Sequence, residues 1–119
     1  MNGKRNLFLS HILDSCKNII EFTKDIDFKT FINKRLIQSA VIRELEIIGE
    51  ATKNISVDIR KHSKDIPWKK LAGMRDKLSH RYFTVDLEEV WNTSKNDIQI
   101  LKKRIEKIIN YLELEEKKD

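Results

Sequence analysis

The chain has 119 residues, of which 39% are hydrophobic and 36% charged, and its formal net charge is +5. That length suits one domain with a single core that needs no disulfide or metal staple, and three glycines with one proline supply too little turn material for an all-β fold. No apolar run approaches the roughly 18 residues of a membrane span, and the polar-broken start MNGKRNLFLSHILDSC does not read as a signal peptide, so a cytoplasmic protein is expected.

The first periodic segment runs from about Arg5 to Ile26. Leu9, Ile12, Leu13, Cys16, Ile19, Ile20 and Thr23 form one stripe at helical spacing. Cys16 is the one cysteine, and its place on that stripe predicts a packed, inert thiol. No disulfide framework or zinc pattern follows from a single cysteine.

The second segment runs from about Thr30 to Ile55, with apolar positions Phe31, Leu36, Ile37, Ala40, Val41, Leu45, Ile48, Ala51 and Ile55. Gly49 interrupts it at a cost of up to about 1 kcal/mol relative to alanine, which close approach of another helix would offset. Residues 56–66 form a connection with room for one short helix, capped by Ser56 and carrying Asp58 in its first turn. Pro67 suits the first position of a third long helix reaching about Tyr82. The last helix begins near Asp86, which has capping-box spacing to Glu89, and continues through Val90, Ile98, Leu101, Ile105, Ile108 and Leu112. The charged tail ELEEKKD is expected to fray. Trp68 and Trp91 stand at helix starts among apolar partners and read as core or interface anchors rather than RNA-stacking platforms. Four main helices with short connections predict an all-α, antiparallel four-helix bundle.

The third helix carries GMRDKLSHRYF, residues 73–83. With Arg75 at zero on a helical wheel, Leu71, Leu78 and Tyr82 fall within 60° of it, and Met74 completes their apolar stripe. His80 falls at about 140°, on nearly the opposite side, so it is not expected to be a core histidine of its own chain. Asp76 lies one turn before His80 and can hydrogen-bond to it, fixing its tautomer and raising its pKa. The Arg75 and His80 head groups are not brought together by an ideal wheel. They could meet through arginine's length, through unwinding at the helix end, or across a symmetric dimer.

A histidine with an arginine is the minimum set for metal-independent RNA cleavage. A neutral imidazole can accept the proton of a ribose 2′-hydroxyl, and a guanidinium can hold charge developing on phosphate oxygens. His11, His62 and His80 are scattered and define no metal site. No glycine-rich phosphate loop or activated serine is evident, and no cofactor is implied. By spacing alone the constellation is a weak signal, and a solvated helix face is the commoner explanation of these residues.

The segment RDKLSHRY resembles the R-x4-H-x-Y signature of HepT-like toxins in the HEPN superfamily. VIRELEIIGEATKNIS, IPWKKLAGMRDKLSHRYF and VDLEEVW are similar to the family's second, third and last helices, so the resemblance covers nearly the whole chain. It implies a bundle that dimerises with two such motifs facing across a cleft, with Arg75 and His80 as the ribonuclease residues and Asp76 in support. It implies RNA as substrate and a small nucleotidyltransferase antitoxin as partner, which would transfer AMP onto Tyr82 and block the cleft by bulk and charge. The same residues would also suit a non-catalytic HEPN dimer that serves as the nucleotidyltransferase's partner and AMP acceptor, or a purely structural bundle. Gly49 and Glu50 match the family's GEA stretch and are assigned packing roles.

Overall fold

The computed structural model describes residues 3–80 and 86–117, the side chains of 3–6 and 75–80 excepted. All secondary structure among the described residues is helical. The order is α1 (Gly3–Phe22), α2 (Phe28–Ile32), α3 (Arg35–Lys53), α4 (Val57–His62), α5 (Trp68–His80), α6 (Leu87–Asn92), a π turn (Thr93–Asp97) and α7 (Ile98–Lys117).

The predicted stripe of α1 is the centre of the core. Leu9, Ile12, Cys16 and Ile19 have no exposed surface, and Leu13 and Ile20 pack against them from its edges. This face packs against α3 and α7, while α3 also packs against α5. Burial pushes the Cys16 thiol up to about 12, because a thiolate would lose its hydration there; the inert reading stands. Thr23 satisfies its buried hydroxyl by donating to the Ile19 carbonyl at 2.9 Å. From α7 the core receives Ile98, Leu101, Ile105, Ile108 and Leu112.

The single helix expected over residues 30–55 is two. α2 starts at Asp27, whose carboxylate accepts the Thr30 N–H at 2.8 Å. That bond holds the Asp27 carboxyl below the usual carboxylate range. α2 stops at Asn33, and Lys34 leaves the helical region at φ −120°, ψ 87°. The break turns Phe31 fully inward, 5.2 Å from the Trp91 ring. At the break the Phe31 carbonyl accepts the Lys34 N–H at 3.3 Å and the Gln38 side-chain amide at 2.9 Å, so the interruption leaves no orphan acceptor there. Leu36, expected on the apolar stripe, is instead 83% exposed, because α3 restarts at Arg35 with its own rotation. Gly49 is buried.

Both predicted caps are present. The Ser56 hydroxyl accepts the Ile59 N–H at 3.2 Å, and Asp86 accepts those of Glu88 and Glu89 at 3.0 and 3.2 Å. Pro67 stands one position earlier than expected: its carbonyl accepts the Leu71 N–H, and α5 begins at Trp68. The tail is helical as far as Lys117, further than its charge suggested.

The π turn was not foreseen. Asn92, Thr93 and Ile98 keep right-handed helical angles, so α6, the turn and α7 make one continuous rod. Buried positions fall at Val90, Ser94 and Ile98, then at Leu101, Ile105 and Ile108. Two consecutive steps of four drift away from a 3.6-residue period, and the wider turn, with an i to i+5 bond from Ile98 N–H to the Thr93 carbonyl, absorbs that drift.

Candidate functional site

α5 carries the motif, and its first turn is firmly anchored. Trp68 is buried, and its indole N–H donates to the Ser63 carbonyl at 3.1 Å. Ser63 is itself held by a hydroxyl bond to the Ile59 carbonyl at 2.9 Å. Ile66 and Leu71 complete the contact with the core, and Met74 packs half-buried beside them. Trp91 packs half-buried against Phe28 and Phe31. Both tryptophans are therefore anchors, as expected.

The helix remains regular through His80. On such a backbone Arg75 and His80 are about 7.5 Å apart along the axis and about 140° apart around it. Unwinding before His80 is thus excluded as the route that would bring their head groups together. The side chains of Arg75, Asp76 and His80 lie outside the described residues, as does Tyr82 entirely.

Beside the motif-bearing helix lies a groove of about 790 Å³. Lys70, Gly73 and Met74 of α5 form one wall, and Asn92, Thr93, Asn96 and Asp97 of the π region form the other. Leu71, Ile98 and Leu101 supply apolar surface, while Asp86, Glu88 and Glu89 line the end near the start of α6. Among the described residues, Lys70 and Arg104 are the cations lining it. A volume of this size, with apolar surface and convergent polar groups, is that of a ligand-binding cleft. A Cβ on Gly73 would meet nothing within 4 Å, so this glycine leaves the wall open rather than relieving a clash.

A second exposed feature lies at the far end of α7. Tyr111 is 42% exposed, and its ring centroid stands 5.4 Å from that of His62, with the planes inclined at 41°. Arg104, one step nearer the groove, donates to the Asp65 carbonyl at 2.7 Å and approaches its carboxylate at 3.3 Å. Sequence reading noted His62 only as scattered. A basic run around a histidine, opposite a tyrosine on another helix, was the available signal, but nothing local linked the two.

Among the described residues, no group of three or more histidine, cysteine, aspartate and glutamate side chains could hold a metal ion. No helix among them is long and apolar enough to cross a membrane.

Comparison with known proteins places the motif in context. The family model described as "Ribonuclease HepT-like" matches residues 12–108. "Putative RNase MJ0125" of Methanocaldococcus jannaschii is 56% identical over 106 residues, covering 89% of this chain and 91% of that protein. "Probable ribonuclease HepT" of Thermococcus cleftensis is 48% identical over 101 residues, covering 85% and 92% respectively. "Putative RNase TTE0752" of Caldanaerobacter subterraneus is 46% identical over 103 residues, covering 86% and 91%. No solved structure matches the chain.

Proposed function

The chain belongs to the HepT-like ribonuclease family, and from that premise we propose that it is a metal-independent endoribonuclease, the toxin of a HEPN toxin–antitoxin pair. The observation that supports this most is that the family match spans the R-x4-H-x-Y segment on a helix whose base is rigidly anchored.

In this reading His80 in its neutral form accepts the proton of a ribose 2′-hydroxyl. The 2′-oxygen attacks the adjacent phosphorus, and the bond from phosphorus to the 5′-oxygen breaks. The products are a 2′,3′-cyclic phosphate and a 5′-hydroxyl, the leaving oxygen taking up a proton. Arg75 holds the charge that develops on the non-bridging oxygens, and Asp76 orients the imidazole. The 140° between Arg75 and His80 on one helix favours a composite centre, with two copies of the chain bringing their motifs face to face. We read residues 1–119 as one HEPN-like domain, an antiparallel four-helix bundle that works as a cytoplasmic homodimer. A nucleotidyltransferase antitoxin would silence it by placing AMP on Tyr82, adding bulk and negative charge where RNA must enter.

The test is expression of the chain alone, with and without His80→Ala. Growth arrest and RNA fragments ending in 2′,3′-cyclic phosphate are expected from the wild type. Loss of a general base should slow cleavage by about 10²–10⁴-fold. Activity that stays flat between about pH 5 and 8 would count against a titrating histidine base. An inert wild type that a nucleotidyltransferase still modifies at Tyr82 would leave only the AMP-acceptor role. Tyr82→Phe is expected to cleave RNA normally and to escape the antitoxin; full neutralisation of that variant would remove Tyr82 from the scheme.

A further inference from the structure

Positive charge in this chain is concentrated. Residues 57–70 carry five cations, Arg60, Lys61, Lys64, Lys69 and Lys70, against two carboxylates, Asp58 and Asp65, a net +3 of the whole chain's +5. This segment, α4 and the turn into α5, is fastened to α7 at two points: Arg104 to Asp65, and the His62 ring against Tyr111. On α7, Arg104, Lys107 and Tyr111 follow one another at i, i+3 and i+7 and so share a face. Lys107 is exposed, as are Lys61, His62 and Lys64. The result is an open aromatic pair with Lys61 and Lys64 next to His62 in sequence and Lys107 one turn before Tyr111, and with Asp58 and Glu115 one turn from the rings on their own helices.

We propose that His62 and Tyr111 form a stacking platform for a base of single-stranded RNA, with Lys61, Lys64 and Lys107 neutralising the flanking phosphates. The proposal rests on the ribonuclease reading and names where its substrate is held outside the reacting centre. Base–aromatic stacking tolerates any sequence, because every base presents a π-face. Tyrosine suits it when its ring is held in place while one side stays open. Here His62 holds one side, and 42% of the tyrosine remains exposed. The planes are inclined at 41°, so the platform is an extended edge rather than a flat stack, and a base would lie on the tyrosine.

The platform also has a path to the motif. Tyr111 and Arg104 are about 10 Å apart along α7, and Lys70 and His80 about 15 Å apart along α5. Arg104 and Lys70 line the same groove. Among the described residues Arg104 is already held by Asp65, so a strand leaving the rings meets Lys70 as the unneutralised cation of the groove before reaching the segment with Arg75 and His80. The groove itself carries more carboxylates (Asp86, Glu88, Glu89 and Asp97) than cations, so phosphates are kept to its Lys70 rim and out of its interior.

A 12-nucleotide 2′-O-methyl RNA labelled with fluorescein separates binding from cleavage, because it lacks the nucleophile. Its anisotropy is measured with the wild type, Tyr111→Ala, Tyr111→Phe and the double variant Lys61→Glu/Lys107→Glu, each first checked for an unchanged circular dichroism spectrum. Tyr111→Ala should weaken binding about 5- to 140-fold, the range expected for losing one stacked base. Tyr111→Phe should stay within about twofold of wild type, and the double variant should weaken binding and flatten its salt dependence. With cleavable substrates, Tyr111→Ala should raise KM for a 12-mer and leave dinucleotide cleavage unchanged. Wild-type affinity in Tyr111→Ala overturns the platform, even if the charge reversals weaken binding, and so does equal loss in Tyr111→Ala and Tyr111→Phe, or a wild type that binds no oligonucleotide. Binding through Tyr111 without any cleavage would defeat the ribonuclease reading alone, whereas normal cleavage with an indifferent Tyr111 would defeat the platform alone.

Discussion

α1 and α5 are both predicted helices with apolar stripes, yet they serve opposite ends. α1 buries Leu9, Ile12, Cys16 and Ile19 completely between α3 and α7. α5 packs against α3, is pinned at its base by Trp68, and leaves a groove along its side. α1 is therefore enclosed on two sides, whereas α5 packs on α3 and borders the groove. The helix with the motif is pinned at its base and borders a groove along residues 67–74.

The sharpest way to test this contrast is to remove matched apolar groups. Ile105→Ala, at a fully buried position, should cost about 2–5 kcal/mol in urea unfolding. Met74→Ala, half-buried at the groove, should cost clearly less. Equal losses would mean the groove is as tightly packed as the core. Next in size, Trp68→Phe shrinks the buried ring and removes its donor to the Ser63 carbonyl, which keeps only the Ile66 N–H at 3.1 Å. A loss of about 1–2 kcal/mol is expected, with faster amide exchange in the first turn of α5. No change in either would show that packing alone anchors the helix.

A smaller effect of opposite sign is expected at Gly73. It lies within a helix and has open space where a Cβ would go. Gly73→Ala should therefore raise stability by about 0.5–1 kcal/mol, read as a higher thermal midpoint. A destabilised variant would mean that the groove wall is tighter than it stands here. The smallest effect is at the exposed cap of α2. Because Asp27 has a lowered folded-state pKa, its contribution is present above the ordinary carboxylate range and is lost as pH falls through the lowered value. Asp27→Ala should slightly lower the thermal midpoint at pH 7 and differ less from wild type in strong acid. A gap that widens with acid would assign the effect to another group.

Much of this architecture is readable from neighbours close in sequence. The α1 stripe, the α7 stripe and the caps at Ser56 and Asp86 all depend on residues within one or two turns, so spacing and residue type suffice. The break at Asn33–Lys34 is different. Phe31, Ile37, Val41 and Leu45 fit a continuing helix, and the interruption makes sense only once Trp91, far along the chain, receives the Phe31 ring. The π turn left a faint trace in the two steps of four from Val90 to Ile98, which an uninterrupted stripe can mimic. The motif at Arg75, Asp76, His80 and Tyr82 stood out in the sequence by residue type and by resemblance, while a helical wheel alone could not bring its head groups together.

Helix identity, capping and the buried stripes therefore follow from local order, because hydrogen bonds and periodicity act over about four residues. The groove between α5 and the π region, and the pairing of His62 with Tyr111, belong to the folded chain. Each joins residues that no local interaction connects, and each exists only because core packing fixes where one helix ends relative to another.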